Sequence, residues 1–401
     1  MLLKSAIEHC YRSQQEQMLA ADTGMLRDRK PEIIPVNEFV HIITGIRRCG
    51  KSTLLHQLMS STGDKAAYFN FEDPRIHGFA LEDFEKLDEV MGDLDCYFFD
   101  EIQNVEKWEL FIRQLHDRKK IICITGSNAS LLSRELGTRL TGRSRSTELF
   151  PFSFMEFCRF LNLENSAAAL DSYLEDGGFP SYLKTGDVQY LQQLFRDIIY
   201  RDIIIRYGIR NARIVEEMAL FLLSNTAKEF SLNNLKKTFG IGSANSVSGY
   251  ISWFEDSYLL FSLPRFSWSA RAVSVNPKKI YAIDSGLANA TSLSFSGDKG
   301  RLLENLVFLQ LRKKYPSLYY YRGKTECDFV VREKGKIIFL IQVCSELHRD
   351  NLQREMDGLL EAMNFFELQE GSIITRNQSD RFQEKDKSIQ VVPAWQWLSQ
   401  W

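Results

Sequence analysis

The chain has 401 residues, 44% of them apolar and 25% charged, with a net charge of -2. That length exceeds one ordinary hydrophobic core, so two or three domains are expected, and the apolar content excludes wholesale disorder. The near-neutral balance argues against a dedicated nucleic-acid binder and leaves any DNA contact to a local patch. The seven cysteines are odd in number and form no CxxC pair, so neither a disulfide framework nor a zinc site is expected, and a reducing compartment fits. The first residues lack the apolar centre of a signal peptide, and no uncharged apolar stretch reaches the roughly 18 residues of a membrane span. A cytoplasmic protein without a membrane segment is the expectation.

Residues 1–30 read as a polar, weakly amphipathic helix ended by Pro31 and Pro35. An alternation of strands and helices follows. Phe39-Val40-His41-Ile42-Ile43 is a strand, Ser52 to Met59 a helix, Ala66 to Phe71 a strand, and Cys96-Tyr97-Phe98-Phe99 another. Lys107 to Arg118 is helical, Ile121 to Ile124 is a fourth strand and Thr147 to Phe150 a fifth. Near-continuous apolar strands between helices imply an α/β fold with a parallel sheet covered on both faces. From about residue 160 helices dominate. Leu232, Leu235 and Phe239, then Val247, Tyr250, Ile251 and Phe254, flank Gly240-Ile241-Gly242 and precede the β-rich Tyr258-Leu259-Leu260-Phe261. That pattern is a helix-turn-helix with room for a wing. A second α/β unit occupies 296–401, with a helix over Gly300 to Lys314, strands at Tyr319 to Arg322, Asp328 to Arg332 and Ile337 to Val343, a helix near Leu352 to Phe365, and strands at Ser372 to Thr375 and Ile389 to Val392.

Ile42-Ile43-Thr44 leads into Gly45-Ile46-Arg47-Arg48-Cys49-Gly50-Lys51-Ser52, a GxxxxGK[ST] pattern between a strand and a helix. That context is what makes the pattern a P-loop. Two glycines let backbone amides converge on phosphates, and the helix N-terminus adds positive potential. Lys51 is placed to reach the β- and γ-phosphates, Ser52 to ligate Mg²⁺, and Gly45 through Thr53 to line the ATP site. About fifty residues on, the apolar run Tyr97-Phe98-Phe99 ends in Asp100-Glu101. Asp100 is the candidate Mg²⁺ holder and Glu101 the candidate general base. The next strand ends in Thr125-Gly126-Ser127-Asn128, where Ser127 or Asn128 would sense the γ-phosphate, unless they simply cap a helix. Arg139, Arg143 and Arg145 precede the last strand. Arg143 is the first choice for an arginine offered to a neighbouring subunit's nucleotide, which makes a homo-oligomer a candidate assembly.

These runs, GIRRCGKSTLL, YFFDEIQNV, TGSNASLL and Leu149-Phe150-Pro151-Phe152-Ser153-Phe154-Met155-Glu156-Phe157, resemble prokaryotic AAA+-superfamily ATPases. Members of that group carry a winged-helix region and a C-terminal domain similar to restriction endonucleases. Lys279-Ile280-Tyr281-Ala282-Ile283-Asp284-Ser285-Gly286, Gly300 to Phe308, Thr325 to Val331 and Ile341 to Cys344 are similar to that second half. The resemblance implies an N-terminal helix (1–30), a P-loop ATPase domain (31–160), a helical and winged-helix region (161–295) and a restriction-endonuclease-like α/β domain (296–401).

Within the last domain, Glu304, Asp328 and Gln342-Val343-Cys344 fit a PD-(D/E)xK arrangement. In active nucleases of that type two acids hold Mg²⁺, and a lysine two residues after the second acid stabilises the charged phosphate or the attacking water. Here Gln342 stands for the second acid and Cys344 for the lysine; Lys324 or Lys336 would have to substitute. A nuclease-like fold kept for binding or assembly is therefore expected over phosphodiester cleavage. The functional expectation is an Mg-dependent ATPase acting as a conformational switch, and the alternative is an ATP-regulated DNA-binding protein or nuclease. A helix at Ser243 to Trp253 would enter the major groove, although it holds Asn245, Ser246 and Ser248 and no lysine or arginine.

Overall fold

The computed structural model describes residues 1–62, 65–128, 142–292 and 298–400. Contacts divide the chain into two compact units, Met1–Phe150 with Asp256–Tyr258, and Pro151–Glu255 with Leu259–Trp401.

The first unit is built on a five-stranded parallel sheet. Its strands are β1 (Val40–Thr44), β2 (Ala66–Asn70), β3 (Cys96–Asp100), β4 (Ile121–Gly126) and β5 (Ser144–Glu148), in the order β2-β3-β4-β1-β5. β1 and β3 are buried along their whole length, as strands of a sheet covered on both faces must be. The helices are α1 (Lys4–Ala20), α2 (Lys51–Met59), α3 (Asp83–Met91) and α4 (Trp108–Asp117). A layer of rings, Phe69, Phe71, Phe79, Phe84, Phe99 and Phe111, fills the core. Phe84 and Phe111 stack there with centroids 4.5 Å apart.

Both sheet edges depart from the expectation. β5 begins at Ser144 rather than Thr147, and its polar run Ser-Arg-Ser-Thr-Glu is only partly buried. The first helix ends at Ala20, short of residue 30, and it is part of the first unit. β2 is the opposite edge strand, with backbone groups that no strand satisfies on its outer side. Side-chain amides of α1 cover them. Gln15 Oε1 accepts from Tyr68 N at 2.9 Å while its Nε2 donates to Ala66 O at 2.8 Å. Gln14 likewise accepts from Asn70 N at 2.8 Å and donates to Asn70 O at 3.2 Å. Two glutamines thus replace a further strand and protect an edge that would otherwise pair with another chain.

The second unit begins with helices Phe154–Leu161, Ala167–Asp176, Pro180–Thr185, Val188–Asp197 and Ala212–Ser224. Strand β6 (Glu229–Phe230), helices Leu232–Thr238 and Ala244–Asp256, β7 (Leu260–Pro264) and β8 (Lys278–Ala282) follow, and the strands form a small antiparallel sheet in the order β6-β8-β7. A six-stranded mixed sheet comes last, with strands β9 (Leu318–Arg322), β10 (Glu326–Glu333), β11 (Lys336–Val343), β12 (Glu370–Thr375), β13 (Asp380–Glu384) and β14 (Lys387–Pro393). Their order is β13-β14-β12-β11-β10-β9. β9, β10 and β11 are an antiparallel meander. The helix Arg349–Phe366 then crosses over to the parallel pairs β11–β12 and β12–β14.

A buried carboxylate organises the junction after β8. Asp284 caps the helix Ser285–Thr291 by accepting from Leu287 N at 2.8 Å, and its other oxygen accepts from Gly178 N at 2.6 Å. Its burial pushes its pKa up to about 6. Asp284→Ala removes a cap and strands a buried N–H, so it should lower stability by about 2–3 kcal/mol. Urea unfolding of the variant checks this, and an unchanged midpoint would contradict the assignment.

Candidate functional site

In a parallel sheet, ligands bind beyond the carboxyl ends of the strands. The strand order sets β4 between β1 and β3, so the residues that follow β1, β3 and β4 meet at one end of the sheet. These are the phosphate loop, the Asp100-Glu101 pair and Ser127-Asn128.

The loop geometry demands its glycines. At Gly45 a Cβ would lie 2.1 Å from Leu149 O, so no other residue fits without moving backbone. Gly50 has φ +103°, a left-handed conformation that favours glycine. α2 starts at Lys51, so the amides of Lys51, Ser52 and Thr53 have no partner within the helix and face the loop's concavity. Ile46 and Cys49 are fully buried, and burial pushes the Cys49 thiol pKa up. Arg47 points away to an ion pair with Glu72 at 2.6 Å, and Arg48 takes a left-handed turn at φ 65°.

The predicted residues converge. Lys51 Nζ donates to Gly45 O at 3.1 Å and Ile46 O at 3.2 Å, and lies 3.2 Å from Glu101 Oε1. The Ser52 hydroxyl favours the ionised form of the Asp100 carboxyl. Burial of Lys51 works against its charge, but Glu101 and Asp100 hold its pKa above the ordinary value. Burial alone would likewise raise Glu101; the Lys51 charge and a hydrogen bond from Gln103 keep it ionised below the usual carboxylate range. Asp100 is shifted the other way, by burial first and then by the Glu101 charge. Two adjacent carboxylates are thus driven apart in character, one held in its ionised form and the other pushed towards its protonated form.

Four residues that the motif search passed over support this arrangement. Thr125 at the end of β4 donates to Asp100 Oδ1 and accepts from Glu101 N at 3.0 Å. Tyr68 donates to Asp100 Oδ2 at 3.1 Å. Gln103 Nε2 lies 2.5 Å from Glu101 Oε2 and 3.4 Å from Ser127 Oγ, so it touches both the acid pair and the strand-end serine. Arg27, buried on the segment after α1, donates to Cys49 O at 2.8 Å and to Phe150 O at 2.7 Å, bracing the outer side of the loop. A lysine-free DE pair would have hinted at none of these, because each partner lies on a different element. Ser127 and Asn128 are both buried at the end of β4.

Arg143 is elsewhere. Its carbonyl accepts from Val40 N at 2.8 Å, at the amino end of β1, and its guanidinium pairs with Asp117 at 3.2 Å. The phosphate loop leaves the other end of β1, roughly 13 Å further along at about 3.3 Å per residue. Arg143 therefore does not reach its own chain's loop. Arg145 lies over the Phe39 ring at 4.3 Å, and Arg139 falls outside the described residues.

In the second unit the nuclease-like positions do come together, around an unexpected group. Lys279 Nζ on β8 lies 2.8 Å from each of Glu304 Oε1, Glu326 Oε1 and Asp328 Oδ1. Tyr281 donates to Glu304 Oε1 at 2.7 Å. Gln342 Oε1 accepts from Asp328 N at 3.2 Å and its Nε2 donates to Glu355 at 2.7 Å. Cys344 instead donates to Glu346 O at 3.1 Å. Lys324 and Lys336, the substitutes expected from neighbouring positions, are exposed. Among the described residues no group of three His, Cys, Asp or Glu side chains is arranged to hold a metal, and no helix is long and apolar enough to cross a membrane.

The parallel sheet in this order, with a glycine loop and a DE pair at its carboxyl end, defines a AAA-type P-loop ATPase domain. A family model described as an AAA domain matches residues 37–158, and two models described as domains of unknown function (DUF8612 and DUF4143) match 167–298 and 299–397. The chain belongs to the family of the uncharacterized protein MJ1544 of Methanocaldococcus jannaschii, to which it is 35% identical over 92% of its length and 90% of that protein's. An uncharacterized Haemophilus influenzae protein is 27% identical over 90% of this chain and 95% of its own. Of solved structures, AMPPCP-bound DnaA from Aquifex aeolicus aligns at TM-score 0.28 and 13% identity, covering 64% of this chain and 89% of that one. The Thermotoga maritima RuvB Holliday junction branch migration motor aligns at TM-score 0.31 and 18% identity, covering 63% and 89%.

Thr125 holds the site together, so Thr125→Val keeps the volume but strands Glu101 N and a lone pair of Asp100. We expect a loss of about 1–3 kcal/mol, read as an earlier denaturant transition of the first unit. Stability equal to the wild type would show that the hydroxyl does not carry these contacts.

Proposed function

We propose that the chain binds ATP with Mg²⁺ and hydrolyses it, and that turnover switches the conformation of the second unit. The observation that carries this reading is the convergence of Lys51 on Glu101 and on the loop carbonyls of Gly45 and Ile46 at the carboxyl ends of β1 and β3. Gly45 to Thr53 would cradle the phosphates. Ser52 and Asp100 fit a hard cation, because both offer oxygen ligands; Mg²⁺ would neutralise phosphate charge. Lys51 now spends its ammonium on two loop carbonyls and Glu101. A γ-phosphate competes for that ammonium, and Glu101, freed from it, is left to orient and deprotonate water. Gln103 holds the other Glu101 oxygen, and Ser127 stands beside Gln103 to register the phosphate. Arg143 would act on a neighbouring subunit's nucleotide in a homo-oligomer.

The switch has a physical starting point. Thr44, the last residue of β1 before the loop, accepts a 2.7 Å hydrogen bond from Tyr258. Tyr258 belongs to the first unit, but the chain on either side of it, Glu255 and Leu259, belongs to the second. Strain arising at the loop thus reaches the segment that joins the helix Ala244–Asp256 to β7.

Lys51→Ala should weaken ATP binding at least about tenfold. Glu101→Gln should bind ATP normally and lose about 10²–10⁴ in turnover. Calorimetry and phosphate-release assays measure both, and full turnover in either variant sinks the proposal.

A second reading, DNA binding, is favoured by one observation. The helix–strand–helix–helix–strand–helix–strand succession from Ala212 to Ala282, with sheet order β6-β8-β7, supports a winged-helix reading in which the helix Ala270–Val275 lies between the two wing strands. Its β7–β8 connection exposes Trp268 and Arg271, while the helix Ala244–Asp256 exposes Asn245, Ser246 and Ser248. Duplex DNA should then bind at low salt and weaken as salt rises, and less tightly to a Trp268→Ala/Arg271→Ala variant. Fluorescence anisotropy that shows no binding at low salt removes this reading.

A further inference from the structure

The acidic centre of the second unit looks like a metal site that lacks its lysine. The lysine is present, but in the wrong place for that role. It arrives from β8, outside the six-stranded sheet, and it contacts all three carboxylates at once.

We infer that the Lys279 ammonium is the resident cation of the Glu304–Glu326–Asp328 centre, standing where a divalent metal would sit and excluding one. Three arguments support this. First, valence: a lysine ammonium has three N–H donors; Glu304 and Asp328 accept two of them, and Glu326 faces the ammonium as an ion pair at 2.8 Å. Second, distance: the contacts are all 2.8 Å, which is the length of a charge-assisted N–H···O bond, whereas Mg²⁺ draws oxygens to about 2.1 Å. Third, access: the Lys279 side chain is 4% exposed and that of Asp328 7%, so a phosphodiester has little approach to either. Gln342, at the second acid's position, has both ends of its amide committed to Asp328 N and Glu355, so it offers no free oxygen to a metal. Asp328 Oδ2 likewise accepts from Val343 N at 2.9 Å.

The consequence is structural and regulatory. Strand β8 belongs to the small sheet, and its lysine clamps that sheet to the helix Lys299–Lys314 through Glu304 and to β10 through Glu326 and Asp328. Tyr281, two residues on from Lys279 along β8, adds a second bond to Glu304. The centre is therefore closed to metal for as long as β8 stays in register, and withdrawing β8 would leave Glu304, Glu326 and Asp328 without their cation. This deepens the reading of the last sheet as a nuclease-like fold that does not cut.

The test uses full-length protein without nucleotide, so it stands whether or not the phosphate loop hydrolyses ATP. Mn²⁺ binding is followed by calorimetry and by electron paramagnetic resonance. Asp328→Asn in an otherwise wild-type chain should leave Mn²⁺ binding unchanged. Lys279→Met should gain one Mn²⁺ site at least about tenfold tighter than any in the wild type, and Lys279→Met/Asp328→Asn should lose it. A Lys279→Met chain that folds only when Mn²⁺ is supplied supports the inference equally. Three results overturn it: wild-type Mn²⁺ binding that Asp328→Asn removes, a Lys279→Met chain that takes up no additional Mn²⁺ or that Mn²⁺ fails to recover, and Mn²⁺-dependent plasmid cleavage by the wild type that Lys279→Met abolishes.

Discussion

An ammonium removed from water must be surrounded by oxygen, and the candidate ATP site is organised by that requirement. Lys51 is buried, and leaving its charge unmatched would cost several kcal/mol. Its partners are two loop carbonyls and Glu101. The loop therefore has to curl back over its own lysine, and Glu101 has to point towards β1. Arg27 satisfies the Cys49 carbonyl from the outer side, so the curl is braced from both directions. The backbone amides released by this path at the start of α2 are the ones an anion would use.

Strand order then decides what shares the space. β4 lies between β1 and β3, and its last residues bring a hydroxyl, Thr125, between the loop and the acid pair. Thr125 and Tyr68 both bond Asp100, so this carboxylate is oriented by neighbours on either side of β3. Such a network is strong when every member is satisfied and costly when one is removed. The rigidity required for phosphate chemistry is thus supplied by buried polar contacts at the strand ends, above an aromatic layer that fixes the sheet.

How much of this could be read in advance depended on how far apart the partners lie in the chain. The phosphate loop and Asp100-Glu101 are contiguous motifs on buried apolar strands, and both ends of each signal are local. β5 and β13 were harder, since Ser-Arg-Ser-Thr-Glu and Asp-Arg-Phe-Gln-Glu are edge strands with exposed faces and no apolar run. The first helix read as polar because its buried stripe is short, Ile7, Cys10, Gln14 and Met18; Gln14 and Gln15 also hydrogen-bond β2, which hydrophobic periodicity does not register. Lys279 was hidden for another reason. A search along the strands nominated Lys324 and Lys336 by proximity, but the ammonium that fills the acidic centre comes from 25 residues before Glu304 and 49 before Asp328. Motif spacing describes one strand at a time, and charge compensation acts through space.

The two buried lysines differ in what competes for them. At Lys51 two of the three donors go to backbone carbonyls, which are neutral acceptors, and the single carboxylate stands at 3.2 Å. A triphosphate brings more negative charge than Glu101 and can take the ammonium without leaving an unpaired carboxylate in a dry site, because Glu101 then turns to Gln103 and water. At Lys279 the donors go to the carboxylates of Glu304 and Asp328, a third carboxylate, Glu326, pairs with the same ammonium, and each contact is 2.8 Å. An incoming anion would have to displace charges equal to its own, and an incoming cation would meet an ammonium already in place. Burial and the charge of Asp328 push the Glu304 pKa up, and the Lys279 ammonium works against that rise. On the proposed reading the first arrangement would exchange its partner and the second would stay closed, and the difference follows from whether the lysine's partners are carbonyls or carboxylates.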